Sequence, residues 1–105
     1  IIFYKEEKKM AITKTTEIGR IEVVGEHKHV QVRTDTVIKE DGVELTRTHH
    51  RHVLTPGTLD NSDNLVDTDL SSEDSDVKTI ATTVWSDSVK TAWKNKLVAD
   101  KNLIG

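Results

Sequence analysis

The chain has no cysteine, one proline, five glycines and only four aromatic residues among its 105. Without cysteine there is no disulfide framework and no thiolate metal site, which fits a reducing compartment. Five glycines leave no phosphate-cradling loop and no Gly-x-Ser-x-Gly elbow, so neither nucleotide hydrolysis nor serine nucleophilic catalysis is signalled. No apolar run approaches the roughly 20 residues of a membrane helix. Ile1-Ile2-Phe3-Tyr4 is too short for a signal-peptide core, and the basic and acidic residues Lys5 to Lys9 follow it at once. Hydrophobic residues make up 34% and charged residues 31%, so one small domain with a thin core is expected. Such domains commonly gain stability by oligomerising. The net charge of -3 gives no general coat for nucleic acid.

What is present organises around Val30 to Val53. Two β-rich runs flank Asp41-Gly42, the strongest short hairpin signal, because a type I′ loop needs positive φ at both central residues. With these two residues in the loop, Lys39 faces Glu44, Ile38 faces Leu45 and Val30 faces Val53. The face through Val30, Val32, Thr34, Thr36 and Ile38 then continues as Leu45, Arg47, His49, Arg51 and Val53. The first strand alternates apolar and polar residues. The second is polar on both faces from Arg47 to His52, where a function or an interface is expected. Upstream, Thr15 to Val24 reads as a strand with a bulge or bend at Gly19. A Gly25-Glu26 turn would pair Ile21 with Val30 and Glu22 with His29. The three strands make an antiparallel meander, and strands of about ten residues twist enough to curl toward a half-barrel.

Thr55-Pro56-Gly57 ends the meander. Asp60 to Asp76 follows with seven acidic residues and no basic one, and residues 56–72 read as a linker. Its acids do not make a calcium loop. From Asp60, Leu65 stands at the glycine position and Ser71 at the bidentate glutamate; from Asp67, Ser72 and Lys78 fail likewise. Residues 73–100 read as helical, capped by Ser71 or Ser72, with Glu73, Asp74 and Asp76 at the positive end of the dipole. Val77, Ile80, Ala81 and Val84 form one stripe, and Trp85, Val89, Ala92, Trp93 and Leu97 a second, rotated one. The helix therefore either wraps a curved surface or breaks at Ser86-Asp87-Ser88. Lys94, Lys96 and Lys101 suit a helix C-terminus, and both tryptophans place this segment as the lid on the sheet. Met10-Ala11 has the form of a translation start, so residues 1–9 are expected to be a disordered extension of the domain at 10–105.

Two constellations carry candidate chemistry. In these registers His27, His29, His50 and His52 share one face, with Glu22 beside His29. Two imidazoles two residues apart on a strand can share a transition metal, with a carboxylate as oxygen ligand. The simpler reading is an exposed polar face, which needs no cofactor. Arg33, Arg47 and Arg51 form a basic stripe that could meet phosphates. Yet Met10 to Leu54 carries seven basic and seven acidic residues, and no aromatic lies on the strands to stack a base.

The segment from Met10 to Thr55, above all IEVVGEHKHVQVRTDTVIKEDGVELTRTHHRHVL, together with VWSDSVKTAWKNKL, resembles small uncharacterised proteins encoded by marine tailed phages and found in ocean environmental sequence. That family has no assigned activity and lends no site. It implies a role in a virion or its assembly, with virion components as partners and the host cytoplasm or the particle as location. Long bent strands around an Asp-Gly turn also resemble the first half of an Sm-like or SH3-like small barrel, although the Arg-Gly of the second Sm motif has no counterpart. The expected molecule is mainly β with a C-terminal helix: a meander, or such a barrel if it closes. It is expected to be non-enzymatic and to act as a homo-oligomer in structure or assembly. An Sm-like RNA-binding module and a His-face metal protein are the alternatives.

Overall fold

The structure is a computed structural model that describes residues 11–104; the expectation for residues 1–9 lies outside them. Three long strands, β1 (Ile12–Val24), β2 (His29–Glu40) and β3 (Val43–Leu54), form one antiparallel sheet in the order β1-β2-β3. Their Thr, Val and Ile content suits a pleated, half-buried surface. The sheet is open: β1 does not pair with β3, so the small barrel is not formed among the described residues.

The Asp41-Gly42 turn forms as expected, with φ of 51° and 85°, and Lys39 faces Glu44. Its tip is tied by two bonds: the Ala11 N–H donates to Asp41 Oδ1 at 3.0 Å and the Asp41 N–H to the Ala11 carbonyl at 3.0 Å. The register then departs from expectation. Ile38 faces Thr46, which leaves Leu45 as an extra residue, and from there Val30 faces Leu54 rather than Val53. One inserted residue turns every later side chain to the other face. His50 and His52 therefore share the face of Val30 and Val32, while Arg47, His49, Arg51 and Val53 share that of Arg33 and Asp35.

The first hairpin also differs. Its loop is Gly25 to Lys28, with the Lys28 N–H donating to the Gly25 carbonyl at 3.2 Å and positive φ at both ends. Val24 faces His29, Ile21 faces Val32 and Glu22 faces Gln31. This slip of two residues from the expected pairing preserves the faces, so Ile21 still joins the apolar side. The bulge expected at Gly19 is present, since Ile18 faces Thr34 and Arg20 faces Arg33.

After Pro56 the acidic segment is a small hairpin rather than a linker: β4 (Gly57–Leu59) pairs with β5 (Leu65–Asp67). Asp60 folds its loop, its Oδ1 accepting the Ser62 N–H at 2.8 Å and the Asn64 N–H at 2.9 Å. Helix α1 (Ser75–Val84) is capped by Asp74, whose carboxylate accepts the Asp76 N–H, and not by Ser71 or Ser72. The upstream residues are already turned, with Asp69 Oδ1 accepting the Ser71 N–H at 2.9 Å. The helix breaks at Trp85-Ser86, and α2 (Asp87–Ile104) restarts behind the Ser86 hydroxyl, which accepts the Val89 N–H at 3.4 Å.

The core lies where α1 crosses the base of the sheet. Val30 and Val32 of β2 meet Val77, Ala81 and Trp85, with Ile18, Ile21 and Leu54 around them. The Trp85 indole N–H donates to the Lys28 carbonyl at 2.7 Å, which pins α1 to the first loop. Trp93 anchors α2 to the small hairpin through the Gly57 carbonyl at 2.8 Å. Lys90 to Asp67 at 3.2 Å and Lys101 to Asp63 at 2.6 Å extend that contact, so basic residues of α2 answer the acidic run. Beyond this base the sheet projects as an arm, and the molecule measures 76 × 28 × 21 Å. No helix among the described residues is long and apolar enough to cross a membrane.

Candidate functional site

The arm carries a charge network centred on Asp35, whose side chain is fully buried although it stands on an outer face of the sheet. Alternation places Arg33 on the same face two residues earlier, and its guanidinium grips the carboxylate twice, Nε to Oδ1 at 3.0 Å and Nη2 to Oδ2 at 3.2 Å. The Leu45 bulge brings Arg47 and His49 from β3. Arg47 Nη1 reaches Asp35 Oδ2 at 2.8 Å, and His49 Nδ1 lies 2.8 Å from Oδ1. A carboxylate only accepts, so the hydrogen between them belongs to Nδ1. Arg47 is further held by Glu17 of β1 at 2.8 Å and by both oxygens of Glu44 at 2.9 and 3.1 Å.

Gly19 makes room for this arrangement. A Cβ there would overlap the Asp35 carboxylate and lie 2.7 Å from Arg33 Nη2. The bonds from His49, Arg47 and Arg33 outweigh desolvation and hold Asp35 far below the usual carboxylate range. Arg47 holds Glu44 low in the same way, and Glu44, Asp35 and Glu17 together raise Arg47. Two of the three arginines expected to meet nucleic acid, Arg33 and Arg47, are thus engaged within the protein. Arg51 is exposed and directly faces Arg33.

The histidines expected to form one metal-binding face are divided. His27 and His29 pack on the Trp93 ring, with centroids at 5.3 and 4.9 Å, and each keeps one ring nitrogen buried without a partner, Nδ1 and Nε2 respectively. His50 and His52 lie stacked at 6.4 Å on the opposite face from His29, and His52 Nε2 meets Glu73 at 2.9 Å. Glu22 pairs with Arg20 at 3.3 Å. Among the described residues no three His, Asp or Glu side chains are grouped to hold a metal ion.

Asp35, Glu17, Gly19 and Arg20 were not among the residues singled out from the sequence as a site. The signal for them was a mismatch: the expected register set Arg47, His49 and Arg51 on the valine face and left Asp35 opposite Thr48. A slip of one residue sends Arg47 and His49 to Asp35 and sets Arg51 opposite Arg33. No family model, no curated protein and no solved structure matches the chain.

Proposed function

We propose that the protein is a non-enzymatic assembly component that works as a homo-oligomer, in a phage particle or in its construction. The observation that carries this reading is the arm. β1 and β3 are both outer strands, 13 and 12 residues long, and neither outer edge is paired among the described residues. A long strand edge is a template for pairing with another chain. The arm tip adds exposed apolar side chains, Ile12, Val43 and Leu45 at 58, 65 and 57% exposure. A second copy covering this surface would bury what the thin core does not. The phage setting rests on the resemblance of the Met10 to Thr55 segment to marine phage proteins.

Amide hydrogen exchange along β1 and β3 tests the reading. Assembly predicts that amides pointing away from β2 become protected as protein concentration rises. Fast exchange at those amides at every concentration, with β2 protected throughout, would contradict it.

A further inference from the structure

Arg20 of β1 faces Arg33 of β2, and Arg33 faces Arg51 of β3, so three arginines stand in one row across the sheet. Like charges placed directly opposite one another destabilise a sheet. Packing does not account for the row, since Arg20 and Arg51 are exposed and the row lies outside the hydrophobic core.

The existing carboxylates quench it only in part. Glu22 touches Arg20 through one contact of 3.3 Å, and Asp35 takes Nε and Nη2 of Arg33. Arg51 has no carboxylate partner among the described residues. The three side chains border a depression of about 210 Å³, with Gln31, Glu22 and Val53 on its rim. Neighbouring strands are separated by about 4.8 Å, so the row spans about 10 Å. That is longer than one oxyanion and suits two adjacent phosphoryl groups. Guanidinium forks match phosphate oxygens in planar, bidentate fashion, and Gln31 adds a neutral amide donor.

We propose that Arg20, Arg33 and Arg51, with Gln31, form a binding site for a ligand carrying adjacent phosphates. The site recognises phosphate alone: both tryptophans are buried in the base, which leaves no exposed indole to stack a base. Either a free diphosphate or the backbone of a nucleic-acid strand supplies this chemistry.

The test is titration calorimetry of the full chain at low salt with two probes, inorganic pyrophosphate and a short oligothymidine. The variants are Arg51→Glu and Arg51→Lys, each checked for an unchanged melting temperature. Arg51 is exposed on an outer strand and takes no part in the Asp35 network, so both variants are expected to fold. Binding should weaken roughly tenfold or more in Arg51→Glu, the loss of one charge-assisted contact. It should be partly retained in Arg51→Lys and fall with added salt. Pyrophosphate binding that shows this pattern identifies a small phosphorylated ligand, and oligothymidine binding alone with the same pattern identifies a strand backbone. Equal affinity in wild type and Arg51→Glu, or no binding of either probe, overturns the proposal.

Discussion

Asp35 and Gly19 act as one unit. A carboxylate with no exposure to water is tolerated on a sheet face because three donors close over it, and they close because residue 19 has no side chain. Gly19→Ala should therefore cost about 1–3 kcal/mol, the usual penalty of overpacking, read as a lower midpoint in urea. A variant as stable as wild type would show that the network does not need the gap. The same residues set the acid response. Asp35, Glu44, Asp60 and Asp69 are all held below their ordinary carboxylate values, so folding favours their charged forms. Their stabilisation is fully present above about pH 4 to 5 and is lost as pH falls through the lowered folded-state values. Thermal melts should be flat in this contribution from pH 5 upward and drop below pH 4, with a shallower drop in Asp35→Asn from a lower starting stability. An acid limb identical to wild type in that variant would show that Asp35 does not contribute to it. At this scale Gly19 was legible, because glycine inside a β pattern signals a bulge. Asp35 was not, because its partners depend on a register set ten residues away.

The elements show where local signals sufficed. Asp41-Gly42 fixed its own turn, and the rotation between the two apolar stripes on the helical segment marked a real break at Trp85-Ser86. Two signals misled. Counting outward from the Asp-Gly turn assumed an unbroken ladder, and Leu45 breaks it. The Asp, Ser and Asn content of residues 60–64 suggested a linker, but the Asp60 side chain folds a tight hairpin loop by accepting the Ser62 and Asn64 N–H groups. Composition reports solubility, whereas hydrogen-bond geometry decides the turn. The union of α1 with the sheet rests on Val77, Ala81 and Trp85, with the indole bond to Lys28 as its polar latch. Trp85→Phe keeps most of the apolar burial and loses that bond. It should cost about 1–3 kcal/mol, since the Lys28 carbonyl is left without its donor. A change within error in chemical denaturation would mean that water replaces the indole there.

The whole molecule is more arm than globule. A compact chain of about 100 residues has a radius of gyration near 13 Å, against 21.2 Å here. The buried hydrophobic residues are concentrated at the base, and the arm holds itself together by ladder bonds and by the Asp35 network rather than by a second covering layer. That shape places Ile12, Val43 and Leu45 at the end of a lever, exposed and with no covering layer among the described residues, which is the surface a second copy would bury. Solution mass by light scattering, on wild type and on an Ile12→Lys, Leu45→Lys double variant, tests this assembly most directly. These side chains are exposed in the protomer, so the variant should keep its circular dichroism and its melting behaviour at low concentration. Assembly through the arm gives a wild-type mass that is a multiple of 11.8 kDa and a variant shifted toward the single-chain mass. A wild type that remains at 11.8 kDa at every concentration would contradict it.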